Sequence, residues 1–494
     1  MASKNPGRPN IVFILSDDQG SWAMGCAGNN EIITPNIDSL AETGIRFSNF
    51  FCTSPVCSPA RASIMTGRIP SQHGVHDWLR GGNLDKSKLD PDMQNDGIFR
   101  DEHEPIEYLR NFRTYPLILS ENGYRCALSG KWHLGDSLRP QQGFSHWFTI
   151  ARGGCHYFKP DIVKDGKVQY GDRYITDLIT DDAIGFLEQQ DQDDTPFYLS
   201  VHYTAPHSPW DRDNHPKEFF DLYEDCPFNS CPDLPIHPWQ VASAPYGTGE
   251  KRKELLKGYY AAVTAMDRQI GRIIDKIEEM GIRENTLIIF AGDNGMNMGH
   301  HGIWGKGNGT FPQNMFDTSV KVPFIMSWPG HIEQNKVCDE LLSQYDIMPT
   351  LLDIAGLENP DAEDCPGRSF APVLRGGEYC SGENVVVYDE YGPVRMIRSR
   401  RYKYIHRYPY GPHEFYDLAE DPDETDNKIG REDMQEIIEE MRAQLEEWFV
   451  RYADTEIDGA REGTVGSGQL REAGVRARGK QVYNQAIRVV GSNE

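Results

Sequence analysis

NIVFILSDDQG, residues 10–20, joins a run of apolar residues to a pair of aspartates. A short, uninterrupted apolar run rich in Ile and Val is typical of a strand that is buried on both faces. Similar runs occur at 197–201, 287–291 and 323–327, and residues 260–277 carry apolar side chains at helical spacing. Because strands alternate with helices in this way, we predict an α/β fold with a large, mostly parallel sheet flanked by helices.

The sequence pattern changes near residue 383. The segments ENVVVYDEYG, VRMIRSRRYKYIHR and EFYDL have the composition of three adjacent strands, which we expect to form an antiparallel sheet. An amphipathic helix follows, and its apolar side consists of Met434, Ile437, Met441, Leu445 and Trp448. Glycines and polar residues around Gly376 separate the two patterns. We therefore predict an N-terminal catalytic domain at residues 1–376 and a smaller C-terminal α+β domain at residues 377–494.

Two long polar segments and a basic tail accompany these elements. Residues 81–113 and 211–250 are rich in Pro and Asp, and loops of this length often form lids or walls of binding sites. The final part of this acidic chain carries a basic tail made of Arg461, Arg471, Arg476, Arg478, Lys480 and Arg488. Such a tail either reaches over the active site or a neighbouring subunit, or is a loosely ordered terminus.

Charge and composition argue against several classes of protein. The chain has 494 residues and a formal net charge of −25 at pH 7, whereas nucleic-acid binding draws on clustered Lys and Arg. No apolar run approaches the roughly 18 residues of a membrane span, and the N-terminus, MASKNPGRPN, lacks the hydrophobic segment of a signal peptide. We therefore expect a soluble, cytoplasmic protein with no nucleic-acid or membrane partner. Its ten cysteines are expected to be free thiols, with a Cys226–Cys231 disulfide and a homo-oligomer left open.

Polar residues collect just beyond the ends of the predicted strands. Asp17 and Asp18 follow the first strand, Asp293 and Asn294 follow another, and His207 lies shortly after a third. Because ligands of open parallel sheets bind outside the carboxyl ends of the strands, we expect these side chains at one edge of the sheet. Four oxygen ligands, with no Cys or His cluster at zinc spacing, favour calcium, with magnesium as the alternative, over a transition metal.

The segment Cys57-Ser58-Pro59-Ala60-Arg61 is the most informative motif for function. By itself it also fits a buried cysteine before a helix whose first turn holds a proline. It resembles the CxPxR signature at which maturation enzymes of sulfatases oxidise cysteine to formylglycine. The hydrated aldehyde presents a hard oxygen nucleophile to a sulfate ester and can later release the captured sulfate, which a thiol cannot do. On a helix, Arg61 would share a face with residue 57.

Nearly the whole chain resembles the type I, formylglycine-dependent sulfatases of the alkaline phosphatase superfamily. Besides CSPAR, the resemblance rests on TGR at 66–68, GKWHLG at 130–135, DNG at 293–295, GKG at 305–307 and EFYDLAEDPDET at 414–425. It implies an alkaline-phosphatase-like sandwich with a smaller C-terminal domain. It also implies a metal site, Ca²⁺ or Mg²⁺, whose ligands are Asp17, Asp18, Asp293, Asn294 and the oxygen of modified Cys57.

The resemblance further implies roles for the cationic residues around residue 57. Arg61 matches the arginine that steadies the hydrated aldehyde, and Lys131 and His133 match the pair that binds sulfate and assists regeneration of the aldehyde. His207 and Lys306 match the groups on the leaving-group side, where one of them protonates the departing alkoxide. His300 and His301 compete with Lys306 for its role, and His73, His76 and Arg80 are candidates for a substrate subsite.

We therefore predict a sulfuric ester hydrolase that acts on a sulfated carbohydrate, a mono- or oligosaccharide derived from a glycosaminoglycan. The carbohydrate class is implied by the resemblance, and the long insertions and the aromatic and basic residues, which could hold sugar rings and carboxylates, support it. The expected partners are the saccharide and a formylglycine-generating maturation enzyme. Two alternatives stay open from the sequence: a phosphonate monoester or phosphodiester hydrolase of the same superfamily, and a metal-bound carbohydrate-binding protein whose Cys57 is unmodified.

Overall fold

The computed structural model describes residues 8–190, 195–377 and 387–490. Their strands are β1 Asn10–Ser16, β2 Gly44–Phe47, β3 Phe50–Phe51, β4 Arg125–Gly130, β5 Phe144–Ile150, β6 Asp161–Lys164, β7 Lys167–Tyr170, β8 Phe197–His202, β9 Thr286–Gly292, β10 Asn297–Met298, β11 Trp304–Gly305, β12 Phe324–Ser327, β13 Lys336–Cys338, β14 Leu342–Ser343, β15 Val387–Tyr391, β16 Val394–Arg398, β17 Tyr402–Arg407 and β18 Glu414–Asp417. Their α-helices are α1 Pro35–Glu42, α2 Cys57–Thr66, α3 Pro70–His73, α4 Pro91–Gln94, α5 Tyr115–Glu121, α6 Ile175–Glu188, α7 Lys217–Asp221, α8 Gly249–Glu279, α9 Asp317–Val320, α10 Ile347–Ile354, α11 Ala371–Leu374 and α12 Gln435–Tyr452.

A ten-stranded sheet forms the centre of the protein, in the order β13-β2-β12-β9-β1-β8-β4-β5-β6-β7. Its middle strands β9, β1, β8, β4 and β5 run parallel to one another. β12 is antiparallel to both of its neighbours, and β6 and β7 continue the sheet in antiparallel fashion. The predicted large, mostly parallel sheet is therefore confirmed, and the carboxyl ends of β1, β4, β8 and β9 lie at the same edge.

The side chains of β1 alternate between two hydrophobic cores. Ile11, Phe13 and Leu15 belong to one core, Val12 and Ile14 belong to the other, and all five are fully buried. This alternation follows from the two-residue period of a strand. Helices α2, α5 and α10 contribute to the first core, and α1, α6 and α8 contribute to the second. The sheet is thus covered by helices on both faces, as the predicted sandwich requires.

A separate antiparallel sheet holds β15 to β18 in sequential order, and α12 packs against it. The prediction of three strands here was wrong, because VRMIRSRRYKYIHR forms two strands with a reversal between them. Ser399 N donates to Tyr402 O at 2.8 Å across this reversal. The turn contains no Gly, Pro, Asn or Asp, and Ser399 is its one residue of a type that favours turns. The first residues of ENVVVYDEYG lie outside the described residues, and the domain boundary near Gly376 stays a prediction.

Three further sequence predictions concern the chain as a whole. Every cysteine of the described residues is a free thiol, including Cys226 and Cys231. Among the described residues, none of the helices combines the length and the apolar character that crossing a bilayer would need. The first seven residues, MASKNPG, on which the localisation prediction partly rests, lie outside the described ranges.

Candidate active site

The acidic residues predicted as metal ligands meet at the carboxyl ends of β1 and β9. The register of these parallel strands pairs Ser16 with Gly292, so that Asp17 and Asp293 are the next residues on neighbouring strands. Asp18 N donates to Asp293 Oδ1 at 3.1 Å, and Asn294 Nδ2 donates to Asp18 Oδ1 at 2.9 Å. All four side chains are buried, and carboxylate oxygens of the three aspartates lie within 4.8 Å of one another.

This cluster of oxygens fits a hard divalent cation. Asp17 Oδ1 and Asn294 Oδ1 are buried and have no hydrogen-bond partner among the described residues. Buried acceptors are rarely left unpaired, and three carboxylates with one amide oxygen form the kind of ligand set that Ca²⁺ and Mg²⁺ prefer. The arrangement therefore has the donors, the burial and the negative charge that such an ion needs.

Lys131 and Arg61 each pair with a carboxylate of the acidic cluster. Lys131 Nζ donates to Asp17 Oδ2 at 2.5 Å, and Arg61 Nε donates to Asp293 Oδ2 at 2.9 Å. Burial opposes ionisation of Asp17, but the charge of Lys131 and other nearby cations lowers its pKa well below the ordinary value. Burial, followed by the charge of Asp17, raises the pKa of Asp293 to about 7. Asp17 therefore stays ionised beside Lys131, whereas burial and the nearby charge of Asp17 oppose ionisation of Asp293.

Cys57 is the first residue of α2, and Arg61 lies one turn further along the same helix. The Cys57 side chain is almost fully buried, and burial raises the pKa of its thiol. An unmodified thiol here stays protonated and is a weak nucleophile, since the thiolate is the reactive form. Cys57 lines a cavity of about 370 Å³, together with His133, His207 and Lys306.

Lys131 directly follows β4, and its backbone is held from two sides. Arg61 Nη1 donates to the Lys131 carbonyl at 3.0 Å, and His202 Nδ1 lies 3.0 Å from the same oxygen. On its other side, His202 Nε2 lies 2.7 Å from Ser200 Oγ. Burial and the charge of Arg61 lower the pKa of His202 to about 3, so its ring is neutral. His202 therefore positions Lys131.

His133 has one ring nitrogen anchored and the other without a partner. Nε2 lies 3.0 Å from the Leu79 carbonyl, so Nε2 is the donor, and the buried Nδ1 has no hydrogen-bond partner among the described residues. Its backbone adopts a φ of 52°, and Asp18 adopts a φ of 62°, a conformation that non-glycine residues seldom hold without a reason. A Cβ on Gly153 would lie 2.1 Å from His133 Cε1, so only glycine fits against this ring.

His207 and Lys306 both face the Asp18 carboxylate. His207 Nε2 lies 3.6 Å from Asp18 Oδ2, and Lys306 Nζ donates to Asp18 Oδ1. The two alternatives to Lys306 lie elsewhere: the His300 ring packs on Trp22 and the His301 ring stacks on Phe316. The structure thus brings Lys306 to the cluster and places the competing histidines in aromatic contacts.

Gln344, a buried residue at the site, has no clear signal in the sequence. Gln344 Nε2 donates to the carbonyls of Gly292 and Asp293 at 3.1 and 2.7 Å, and its Oε1 accepts from Thr53 N at 3.2 Å. It thereby ties the end of β9 to the segment that leads to Cys57. Sequence reasoning missed Gln344 because its partners are distant in the chain and an isolated glutamine belongs to no motif.

The insertion at 81–113 forms part of the cavity wall, as predicted. Arg80, Arg100 and Glu102 line the cavity, and burial raises the pKa of Glu102 to about 7. Of the three subsite candidates near α2, only Arg80 lines this cavity. His73 is buried behind it, with Nε2 3.1 Å from Ser63 Oγ, and His76 is buried as well.

Comparisons with known proteins agree with this geometry. Residues 9–357 match the family model named Sulfatase, and residues 299–451 match the model described as N-sulphoglucosamine sulphohydrolase, C-terminal. The chain is 29% identical over 530 residues to N-acetylglucosamine-6-O-sulfatase of Bacteroides thetaiotaomicron, covering 91% of this chain and 88% of the relative. It is 29% identical over 466 residues to the Ulvan-active sulfatase of Formosa agariphila, covering 91% and 82% respectively.

A solved structure extends the likeness to three dimensions. A protein in complex with its substrate D-glucosamine-2-N,6-O-disulfate superposes with a TM-score of 0.74 and 26% identity, and the match covers 92% of this chain and 100% of that one. The Sulfatase model alone accounts for most of the sequence, from β1 to beyond α10. The chain belongs to the sulfatase family of the alkaline phosphatase superfamily, and it is a sulfatase.

Proposed function

We propose that this sulfatase removes a sulfate group from a sulfated carbohydrate, a mono- or oligosaccharide of the glycosaminoglycan type. The observation that carries the proposal is the single cavity where Cys57, His133, His207 and Lys306 meet beside the acidic cluster. Such a cavity offers cationic and imidazole groups to a tetrahedral anion in a chain that is acidic overall. The amino-sugar sulfates named for one relative and one solved complex support the choice of substrate.

The nucleophile is proposed to be Cys57 after oxidation to formylglycine by a maturation enzyme. When hydrated, this group supplies an oxygen nucleophile for sulfur and a route for releasing sulfate. Asp17, Asp18, Asp293 and Asn294 would hold a divalent cation, Ca²⁺ or alternatively Mg²⁺, which supplies Lewis-acid and templating chemistry. Their burial keeps bulk water from these ligands and strengthens their interaction with positive charge.

The cationic side chains would bind the sulfate and stabilise charge in the transition state. Lys131 and Lys306 lie close enough for their charges to oppose the effect of burial on the pKa of Cys57. His133 lines the same cavity, and its Nδ1 has no hydrogen-bond partner in the part of the chain that the structure describes. Preorganised groups of this kind often give the largest single contribution to catalysis, because they need no reorganisation during the reaction.

His207 would protonate the departing alcohol. Its Nδ1 donates to the Ser208 carbonyl at 2.7 Å, which fixes the ring and leaves Nε2 to carry a proton into the cavity. Lys306 is engaged by the Asp18 carboxylate, whereas His207 Nε2 lies 3.6 Å from the same group. We therefore assign the general acid to His207 and charge stabilisation to Lys306.

Parallel rate measurements test this function. Enzyme whose residue 57 has been checked by peptide mass should hydrolyse an aryl sulfate and defined sulfated amino-sugar saccharides faster than an aryl phosphonate. A preference for the phosphonate would support a phosphonate monoester hydrolase instead. An unmodified Cys57 in protein from a host with an active maturation enzyme, together with no turnover and saturable saccharide binding, would support a carbohydrate-binding protein.

Replacing Lys131 by Ala should lower kcat for sulfate esters by roughly 100-fold or more, the usual cost of one lost transition-state contact. Lys257→Ala is a suitable control, because Lys257 is also a nearly buried lysine in an ion pair, with Glu224, outside the site. The Lys131 substitution also leaves Asp17 buried without its partner, so thermal unfolding must be recorded alongside kcat. A folded Lys131→Ala enzyme with the wild-type rate would remove Lys131 from the sulfate pocket.

A further inference from the structure

The chain after α12 runs back toward the cavity at Cys57. Residues 453–490, here called the C-terminal strap, lie beyond the last position matched by either family model. Arg80 N donates to Gln469 O at 2.8 Å, and Ala242 N donates to Arg488 O at 2.7 Å. The strap is therefore tied both to the segment that follows α2 and to the insertion at 211–250.

The strap forms one wall of a second cavity, of about 430 Å³. This cavity adjoins the one at Cys57, since six residues line both: Trp78, Arg80, Arg100, His207, Lys306 and Asn308. Asn484 and Arg488 of the strap are among its lining residues and do not line the cavity at Cys57. A ligand whose sulfate lies at Cys57 can therefore extend past His207 and Lys306 toward the strap.

The second cavity is cationic. Arg80, Arg100, Lys306 and Arg488 line it, and Asp18 is the only carboxylate among its lining residues. The other cations have partners: Arg80 and Arg100 contact Asp101, and Lys306 contacts Asp18. Within the described residues, the exposed Arg488 side chain has neither an ion pair nor a hydrogen bond.

An aromatic surface accompanies these charges. The Arg80 guanidinium lies 5.6 Å from the centroid of the Trp78 ring, and Arg80 Nη1 donates to the strap carbonyl of Ser467 at 3.3 Å. The Trp78 indole nitrogen donates to another strap carbonyl, that of Gly466, at 3.2 Å. Because the strap orients both side chains, the cavity combines a fixed aromatic ring with the positive charge of Arg488, which has no partner among the described residues. This combination suits an acidic sugar.

We propose that the C-terminal strap forms a second saccharide subsite, which binds an anionic group on the sugar next to the one that loses its sulfate. Arg488 pairs with this anion, Asn484 lies beside it, and Trp78 contacts the sugar ring. The shared ligand chemistry is a fixed negative charge on the neighbouring sugar, either a uronate carboxylate or a second sulfate. This inference rests on the proposed function and deepens it, because it makes Arg488 a specificity-determining residue.

Four substrates separate this role from a general defect. They are an aryl sulfate, a sulfated disaccharide whose second sugar is neutral, and sulfated disaccharides whose second sugar carries either a carboxylate or another sulfate. Arg488→Ala should lower kcat/KM about tenfold for the acidic disaccharides, mainly through KM, because a charge-assisted contact is lost. It should leave the other two substrates within about twofold, and Arg488→Lys should restore most of the loss. The two acidic disaccharides show whether carboxylate or sulfate is the preferred anion.

Arg461→Ala is the matched control. It removes the same charge from the same strap, at an exposed position that lines neither cavity. It should leave all substrates unaffected. Equal losses on the aryl sulfate and the acidic disaccharides, or no loss on the acidic disaccharides, would overturn the proposal.

A binding experiment keeps the subsite testable if turnover is absent. In a Cys57→Ala background, the acidic disaccharides should bind more tightly than the neutral one, and adding Arg488→Ala should abolish that difference. Suppose that the enzyme hydrolyses no sulfate ester, but the Cys57→Ala protein binds acidic disaccharides more tightly than the neutral one. The proposed function is then wrong, and the proposed subsite is supported. If hydrolysis is observed but the Cys57→Ala protein binds acidic and neutral disaccharides equally, the subsite fails alone.

Discussion

Cys57→Ala is expected to lower the turnover of sulfate esters by about 10⁴-fold or more, the scale of removing a covalent nucleophile. The fold should persist, because Ala keeps the helix start of α2 and removes only one buried sulfur atom. The measurements are kcat on an aryl sulfate, thermal unfolding, and the mass of the peptide that contains residue 57. In the wild-type enzyme that peptide should have the lower mass of formylglycine rather than that of cysteine.

Cys52→Ala provides a closely matched control for this substitution. Cys52 is also buried, belongs to the same hydrophobic core and lies five positions earlier, but it does not line the catalytic cavity. Its replacement should cost some stability and leave kcat unchanged. Full activity in Cys57→Ala, or an equal loss in both variants, would reject Cys57 as the nucleophile.

The strand-end acids illustrate what local sequence can predict. Asp17 and Asp293 follow uninterrupted apolar strands, and parallel strands bring their carboxyl ends to one edge, so periodicity alone places these residues together. Lys131 and His133 have no comparable local signal. They were predicted only from the resemblance of GKWHLG to the family, and the structure then placed Lys131 against Asp17 and His133 in the cavity at Cys57. Their catalytic roles stay proposals.

Contacts between residues far apart in the chain could not be predicted from the sequence. Arg80 donates a hydrogen bond to Ser467, which is 387 positions away in the sequence, and Gln344 donates one to Asp293, which is 51 positions away. No periodicity relates such partners, because their proximity depends on how whole elements pack. The sequence left two outcomes open for the basic tail, and the structure shows it packed along the second cavity through Arg488. The missed fourth strand had a different cause, namely a turn that contains Ser399 but no Gly, Pro, Asn or Asp.

Asp293→Asn is expected to cost roughly 10³-fold in kcat if the cluster holds the proposed cation, because weakening that site would remove several kcal/mol of transition-state stabilisation. Asp293 also holds Arg61 through Nε at 2.9 Å, so the substitution weakens the support of Lys131 as well. Metal binding provides a readout separate from activity. Wild-type protein stripped with a chelator should lose activity, and Ca²⁺ at about 100 times its Kd should then stabilise the folded state by roughly 2.7 kcal/mol.

This stabilisation of the wild-type protein should appear as a rise in Tm when Ca²⁺ is added. Asp293→Asn should show little or no such rise. Asp346→Asn is the matched control, because Asp346 is a buried carboxyl whose oxygens accept from the backbone of Ser343 and Arg368, away from the cluster. Replacing it should lower Tm but keep the response to Ca²⁺, because the cluster's own charge and oxygen donors are unchanged. If Mg²⁺ rather than Ca²⁺ raises Tm, the cluster is still a metal site, but its ion is Mg²⁺. Full activity after chelation, with no metal found in the protein, would contradict a metal role for the cluster.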